Sequence, residues 1–174
     1  METLTDENLM MDVARGNLDG LKLLFERHHM HVFNFLYKMT GDRMLSEDIA
    51  QDVFYKIMKY RTSYNNGKFV SWLFTIARNS LNTHFRNQRH TDGDMDQLNE
   101  VQLQEPEGRE EEFSHLHRAL SKLEASDREL LLLNRFQEIK YAELAEMTGS
   151  TPGAIKTKVS RALGKLREIY FGII

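Results

Sequence analysis

Apolar residues recur at intervals of three and four along most of the chain, and this spacing is typical of α-helices with one side facing a core. The first such stripe runs through Leu18, Leu21, Leu24 and Phe25 and continues to a turn signal at Gly41. A glycine after the last periodic residue is a common helix stop, because it adopts the left-handed conformation at little cost. The pattern therefore predicts a core-facing helical stripe from Leu18 up to the turn at Gly41.

Two more helices are predicted in the first half. Ser46 stands where it could cap a helix that continues through Met58. Residues 63–67, SYNNG, have the composition of a loop. A last helix is predicted from about Phe69 to Gln88, since its apolar residues again fall on one side.

Residues 90–112 interrupt the periodic pattern. They contain two glycines and a proline, few large apolar residues and many carboxylates. Such a segment cannot bury enough apolar surface to offset the entropy lost on ordering. We therefore predict an all-α fold of two small domains, residues 1–90 and 113–174, joined by an acidic flexible linker at residues 91–112.

The second domain is predicted to begin with a helix through Leu116, Leu120 and Leu123. Ser126 or Asp127 could cap the next helix, with residues 130–133, LLLL, buried. These elements lead directly into the most informative part of the chain.

Residues 139–168 read IKYAELAEMTGSTPGAIKTKVSRALGKLRE. Gly149 can end a short helix that begins at Tyr141. Thr151 can cap the following helix, and Pro152 suits its first position, where no backbone N–H is needed. Two helices joined by a turn of three or four residues containing glycine form a helix-turn-helix.

The second of these helices separates apolar from polar residues. At about 100° per residue, its apolar side holds Ile155, Val159, Ala162, Leu163 and Leu166. Its other side holds Lys156, Thr157, Lys158, Ser160, Arg161 and Lys165, with no acid among them. A recognition helix for the major groove needs this division, although an amphipathic surface helix without a ligand would also have it. We expect Lys156 and Arg161 to meet base edges or nearby phosphates, and Thr151 with the helix N-terminus to meet a phosphate.

The distribution of charge supports binding to nucleic acid, although the net charge is -3. Residues 1–90 carry +2, residues 91–113 carry -8 and residues 114–174 carry +3. Residues 53–91 contain seven Lys or Arg and no acid, and residues 147–167 contain five and no acid. Tracts of this kind suit a phosphate backbone, because each carboxylate would repel it.

Several classes of protein are disfavoured by the sequence. The absence of cysteine excludes disulfides and thiolate metal sites. No apolar run is long enough to span a membrane, and the acidic start does not resemble a signal peptide. We expect a cytoplasmic protein without stable membrane insertion, without a cofactor or metal, and without a further regulatory domain after Ile174.

Taken together, these stretches resemble the extracytoplasmic-function (ECF) group of bacterial RNA polymerase sigma factors, within the primary-sigma family. The resemblance covers the chain from about Leu4 to Ile169. FERHHMHVFNFLYKMTGDRMLSEDIAQDVFYKIMKY and KFVSWLFTIARNSLNTHFRNQR resemble the two parts of the second conserved region. LEASDRELLLLNRFQEIKYAELAEMTGSTPGAIKTKVSRALGKLRE resembles the fourth conserved region.

The resemblance implies a mechanism in which catalysis belongs to the polymerase. The fourth-region domain would read the -35 promoter element as duplex, through Thr151, Lys156, Thr157, Lys158, Ser160 and Arg161. The second-region domain would read the -10 element as a melted strand, with Asn79 facing a flipped base. Lys68, Phe69 and Ser71 would form the rim of the pocket. Asn82 belongs to the same tract, Arg78, Arg86 and Arg89 would hold phosphates, and Trp72 fits the core better than a stacking surface.

The resemblance also implies partners. Asp48, Gln51 and Asp52 would be the polar contacts to the clamp helices of the large polymerase subunit, with Phe54 either beside them or in the core. The flap of the core enzyme and promoter DNA are the other expected partners. Many relatives are held inactive by an anti-sigma factor, and the sequence leaves open whether this chain has one. The linker, where acidic charge could mimic nucleic acid, would run near the RNA exit path.

Two other interpretations remain at this point. A free-standing regulator could use the same helix-turn-helix, but it would leave SEDIAQDVF and SWLFTIARN unexplained. An enzyme could use Glu47, Asp48 and Asp52 for Mg²⁺, or His28, His29 and His31 for another metal. The sequence offers neither a nucleophile–base pair nor a phosphate-binding glycine loop to support it.

Overall fold

The computed structural model describes residues 4–92 and 111–172, and the regular structure within these residues is helical. The predicted all-α fold is therefore confirmed. Short 3-10 turns lie at Leu18–Gly20 and Arg61–Ser63, and a π-helical turn lies at Leu132–Phe136. The α-helices are α1 (Asp6–Ala14), α2 (Leu21–Thr40), α3 (Arg43–Lys59), α4 (Phe69–Asp92), α5 (Glu111–Ser121), α6 (Ala125–Leu131), α7 (Tyr141–Thr148) and α8 (Pro152–Gly172).

Helices α1 to α4 form the first module. Helix α3 packs against both α2 and α4, and α1 crosses the bundle near the N-terminus of α2. The rings of Phe35 on α2 and Phe74 on α4 meet edge to face, with centroids 5.5 Å apart, and both side chains are buried. Burial of aromatic side chains is a large stabilising contribution, so this contact fixes α2 relative to α4.

The turn between α2 and α3 confirms one expectation and corrects another. Gly41 ends α2 in the left-handed conformation, with φ 72°, and its N–H donates to Tyr37 O. The cap of α3, however, is Asp42, whose carboxylate accepts from Leu45 N at 3.1 Å. Ser46 was predicted to cap this helix, but it lies inside α3, buried, and its hydroxyl donates to Asp42 O at 2.6 Å.

The apolar stripe at the start of α2 is only partly buried. Leu24 lies in the core as predicted, but Leu18 precedes the helix and is 41% exposed, and Phe25 is 43% exposed. Leu18 was expected to face the core because it lies three residues before Leu21. Phe25 was expected there because it directly follows Leu24. Phe25 instead lines a groove between α2 and α3.

Helices α4 and α5 extend into the segment predicted to be a linker. Helix α4 continues to Asp92, beyond the expected end near Gln88, and α5 begins at Glu111. The central part of the acidic linker, residues 93–110, lies outside the described residues. The division into domains 1–90 and 113–174 stays a prediction.

Helices α5 to α8 form the second module. Residues 130–133 are buried as predicted, and α8 packs against α5, α6 and α7. Helix α6 begins at Ala125 after Glu124, which makes no side-chain cap. Neither Ser126 nor Asp127 caps it, and Asp127 instead pairs with Lys165 at 3.1 Å, which ties α6 to α8.

The helix-turn-helix has the geometry that its sequence predicts. Gly149 ends α7 with φ 69°, and Thr151 Oγ1 accepts from Ala154 N at 3.2 Å at the start of α8. The side chain of Thr151 therefore satisfies one of the backbone donors that every helix N-terminus leaves without an intrahelical partner.

A fully buried arginine organises the second module. Arg128 donates to the carbonyl oxygens of Leu120, Ser121 and Leu123 at the connection between α5 and α6, at 2.8 to 3.2 Å. Its Nη1 also donates to Met39 O at the end of α2, at 3.1 Å. Burial lowers the pKa of Arg128 to about 10, so the side chain remains charged at neutral pH.

The two modules contact each other along two lines. Helix α2 meets α5 and α6, and α4 meets α7. Besides Arg128, the first line includes Lys38, whose Nζ lies 4.2 Å from the ring centre of Phe136, and the rings of Tyr37 and His117, 5.1 Å apart. The contact between α4 and α7 covers part of α4, a helix that also carries part of the candidate nucleic-acid interface described below.

Replacement of Arg128 by methionine is expected to lower the free energy of unfolding by about 3 kcal/mol, because several buried carbonyl groups would lose their donor. Urea unfolding followed by circular dichroism measures the change. The exposed Arg135 provides the control, and its replacement by methionine should change stability by less than about 0.5 kcal/mol. A loss below about 1 kcal/mol for Arg128→Met would contradict the organising role.

Replacement of Gly149 by alanine is expected to cost about 1 kcal/mol, because a Cβ disfavours the left-handed conformation. A new Cβ would meet no atom within 4 Å, so backbone strain alone sets the effect. Gly164 in α8 is equally open but has helical geometry, and Gly164→Ala should stabilise the protein by about 1 kcal/mol. Thermal unfolding of both variants tests the pair, and effects of the same sign would refute this account of the turn.

Candidate nucleic-acid interface

The polar side of α8 is open to solvent. All six residues assigned to -35 contacts are exposed, and they are Thr151, Lys156, Thr157, Lys158, Ser160 and Arg161. On the opposite side, Ile155, Val159 and Ala162 are buried. Because α6 and α7 hold this apolar side, the polar side projects from a fixed support, as docking in a groove requires.

Two of the polar residues on α8 already have intramolecular partners. The hydroxyl of Thr157 donates to Gly153 O at 3.1 Å. Lys165, on the same side, pairs with Asp127 at 3.1 Å, so its charge is partly neutralised. The positive charge of the exposed face is therefore concentrated at Lys156, Lys158 and Arg161.

A second polar stripe follows α4 and the residue before it. At about 100° per residue, Lys68, Ser71, Asn79, Asn82 and Arg86 fall on one side of the helix. Lys68, Asn79 and Arg86 are exposed, while Ser71 and Asn82 are partly buried. The structure thus brings these five of the eight residues predicted to bind the -10 strand onto one side of α4, although the hydroxyl oxygen of Ser71 is itself buried.

Phe69, which was predicted to form the pocket rim, is fully buried. Its ring contacts those of Tyr64, Trp72 and His28, with centroids 5.2 to 6.4 Å apart. Phe69 can therefore support the stripe from beneath, but it offers no surface to a base. Trp72 is half-buried against Tyr64, which agrees with the expectation that it belongs mainly to the core.

The loop before α4 is held by Tyr64, which the sequence analysis treated as an ordinary loop residue. Its hydroxyl donates to Gly67 O, and burial raises its pKa to about 12, which keeps the phenol neutral as a donor. Asn66 adopts a left-handed conformation with φ 57°. The position of Lys68 thus depends on a hydrogen bond within the loop. The feature of the sequence that could have indicated this role of Tyr64 is the presence of an aromatic residue among loop residues.

Arg78 is committed to a different partner from the one predicted. Its Nε donates to Glu129 Oε1 on α6, across the boundary between the modules. In this arrangement Arg78 is not free to hold a phosphate. The side chain of Arg89 lies outside the described residues.

The candidate polymerase-docking surface is on α3. Asp48, Gln51 and Asp52 are exposed, and Asp52 pairs with Lys56 at 2.9 Å. Beside them is a groove of about 440 Å³ between α2 and α3. It is lined by Phe25, His29, Met30, Phe33, Glu47, Ala50, Gln51 and Phe54.

Phe54 belongs to this groove rather than to the core alone. Its side chain is partly buried, and its ring meets that of Phe25 edge to face, with centroids 5.1 Å apart. The sequence did not predict that Phe25 and Met30 lie at the surface, because hydrophobic spacing alone does not separate a buried stripe from an apolar groove.

The histidines that were considered as metal ligands do not share one site. His28 Nε2 lies 2.8 Å from Asp6 Oδ2 and is buried, whereas His31 is exposed. Within residues 4–92 and 111–172, no group of three or more His, Asp or Glu side chains could hold a metal ion. In the same part of the chain, no helix is both long enough and apolar enough to cross a membrane.

Comparison with protein families gives two matches in the order of the two modules. Residues 24–91 match the family model "Sigma-70 region 2". Residues 114–166 match the family model "Sigma-70, region 4". The first match contains the α3 surface and the whole polar stripe on α4, and the second contains the helix-turn-helix.

Comparison with individual proteins gives relatives that are sigma factors, in agreement with the two family models. The chain is 31% identical over 158 residues to the RNA polymerase sigma factor CarQ of Myxococcus xanthus, covering 88% of this chain and 91% of that protein. It is 27% identical over 151 residues to the ECF RNA polymerase sigma factor SigM of Bacillus subtilis, covering 84% and 93%.

A solved structure of the sigma factor RpoE from Bartonella quintana, in complex with the anti-sigma factor NepR, superposes with a TM-score of 0.73. The two chains are 25% identical, and the match covers 85% of this chain and 94% of that one. With both regions matched in order and relatives aligned over nearly their whole length, this chain belongs to the ECF group of RNA polymerase sigma factors.

Proposed function

We propose that this sigma factor directs polymerase to promoters by reading the -35 element with α8 and the melted -10 strand with α4. The assignment of the -35 element to α8 is supported by the polar face of this helix, which is exposed, contains no acid and lies opposite a buried apolar side. Arginine and lysine side chains on such a face can reach both base edges and phosphates in the major groove.

The assignment of the melted -10 strand to α4 is supported by the polar stripe of this helix. An unstacked strand is bound by cations along its backbone and by polar side chains that hydrogen-bond to a base edge. Asn79 is exposed between Lys68 and Arg86, so an amide lies on the stripe between two cations. We assign base contact to Asn79 and assign phosphate contact to the cations.

The α3 surface is proposed to dock on the clamp helices of the polymerase. Asp48, Gln51 and Asp52 present polar groups beside the apolar groove, a combination that suits a protein partner better than DNA. Chemistry is assigned to the polymerase, and the protein would act in the cytoplasm, where polymerase and chromosome meet.

An anti-sigma partner is proposed by analogy with the Bartonella quintana relative, which was solved with one bound. The groove between α2 and α3 would suit such a partner, since its exposed apolar residues include Phe25 and Met30. A partner seated there would compete with the polymerase for the α3 surface.

Run-off transcription with core polymerase from the source organism is the direct test of the -35 assignment. Discrete starts on a genomic promoter pool are expected only when the protein is present. The Lys156→Ala/Arg161→Ala variant should reduce them by 10-fold or more, because each good base contact contributes about 1 to 3 kcal/mol. Lys122→Ala, at an exposed position outside α8, should leave them unchanged. Equal transcription from both variants would refute the assignment.

Binding to core polymerase tests the α3 surface separately. The Asp48→Ala/Gln51→Ala/Asp52→Ala variant should bind core at least 10-fold more weakly in fluorescence anisotropy, because polar groups on the partner would be left unpaired. Asp12→Ala on α1 is the control, since Asp12 is exposed and distant in sequence from α3. Unchanged core binding by the triple variant would place the docking surface elsewhere.

A further inference from the structure

Thr157 occupies the crest of the exposed side of α8. At about 100° per residue, the buried residues Ile155, Val159 and Ala162 lie about 140 to 160° round the helix from it. Of the six residues assigned to -35 contacts, Thr157 therefore points most directly away from the apolar side. Because α6 and α7 pack on that side, a helix seated in the major groove would turn Thr157 towards the base edges.

The hydroxyl of Thr157 is already engaged within the helix. It donates to Gly153 O, four residues earlier, at 3.1 Å. This bond, which threonine can make inside a helix, turns the oxygen towards the backbone. The hydroxyl proton is thus used, and the methyl group is left as the part of the side chain that a ligand can contact.

The residue one turn before Thr157 leaves this methyl group uncovered. Side chains in a helix lean towards the preceding turn, so a side chain at position 153 would lie beside that of Thr157. Position 153 is a glycine, and a Cβ built there would meet no atom within 4 Å. The space beside Thr157 on this side is therefore open to an apolar group of the DNA.

The neighbours of Thr157 on its other sides are cationic. Lys156 and Lys158 lie about 100° to either side of it, and Arg161 follows one turn later. All three are exposed and suit phosphates and guanine edges. None of them recognises the C5-methyl of thymine, which is the apolar feature of the major groove. The methyl group of Thr157 supplies a matching apolar contact at the crest of a polar surface.

We propose that Thr157 reads a thymine of the -35 element by packing its methyl group against the C5-methyl of that base. Lys156 and Arg161 hold the helix in the groove on either side of this contact. The -35 element of this sigma factor then contains an A·T pair opposite this part of α8. The proposal rests on the proposed function of α8, because Thr157 selects a base only if α8 enters the major groove.

The first measurement removes single methyl groups from the DNA. In the promoter with the strongest run-off start, uracil replaces each thymine of the -35 element in turn, on either strand, which preserves base pairing. Holoenzyme formed from core polymerase and the full chain should bind one of these fragments about 4-fold more weakly than the unmodified promoter, as loss of one buried methyl group implies. A -35 element without an A·T pair, or without a position sensitive to the methyl group, would overturn the proposal.

Two variants separate the methyl group of Thr157 from its hydroxyl. Thr157→Ser keeps the hydroxyl and loses the methyl group, whereas Thr157→Val keeps the methyl group and loses the hydroxyl. The three residue types have similar helix propensities and the position is exposed, so stability should change little. Thr157→Ser should bind the unmodified promoter about 4-fold more weakly and should no longer distinguish thymine from uracil. Thr157→Val should bind as the unsubstituted protein does and keep the distinction.

Thr148→Ser is the matched control. Thr148 also donates to a carbonyl four residues earlier, Leu144 O at 2.8 Å, but it lies on α7. The same chemical change outside α8 should leave the distinction between thymine and uracil intact. In a double-mutant cycle, the losses caused by uracil and by Thr157→Ser should be non-additive, because they remove the two sides of one contact. Additive losses would overturn the proposal, and so would a Thr157→Val variant that binds as weakly as Thr157→Ser.

Failure of the proposed function would give a different pattern. If α8 did not read the -35 element, the Lys156→Ala/Arg161→Ala variant would retain full run-off transcription, and no uracil in the element would affect binding. If the proposal for Thr157 alone failed, that variant would lose transcription while the cycle between Thr157 and uracil remained additive.

Discussion

The arrangement of the second module depends on the burial of one guanidinium group. Arg128 is fully buried, and burial lowers the pKa of its side chain to about 10, which leaves it charged. A buried cation is tolerated only when its N–H groups have acceptors, and here the carbonyls around the α5–α6 connection supply them. This network sets the direction of α6. Since α8 packs on α6 as well as on α5 and α7, the orientation of the recognition face depends in part on this buried arginine.

The same side chain links the two modules, since its Nη1 donates to Met39 O. Buried apolar residues of both modules belong to one hydrophobic cluster, so the polar contacts between the modules lie beside an apolar interface. Arg78 makes one of these polar contacts. Its Nε donates to a carboxylate of Glu129, and a phosphate oxygen is an acceptor of the same kind.

Local features of the chain were predictable, and features formed between distant segments were not. Gly149, Thr151 and Pro152 act on their immediate neighbours, so the helix-turn-helix could be inferred from a few adjacent residues. Ser46 is not the cap of α3 because Asp42, directly after the turn glycine, starts the helix four residues earlier. Phe25 was misplaced because the spacing of apolar residues cannot distinguish a core from a groove. The Arg78–Glu129 pair joins residues 51 positions apart, and no pattern in the sequence connects them.

The absence of acids from residues 53–91 has a consequence beyond affinity for DNA. A surface that attracts phosphates without discrimination also attracts any nearby carboxylate, and a tethered carboxylate has a high effective concentration. A chain with two basic modules and acids between and upon them is therefore biased towards internal contacts whenever DNA is absent. The contacts of this kind in the structure are the Arg78–Glu129 pair and the cleft in which Glu143 and Glu146 lie opposite Lys68.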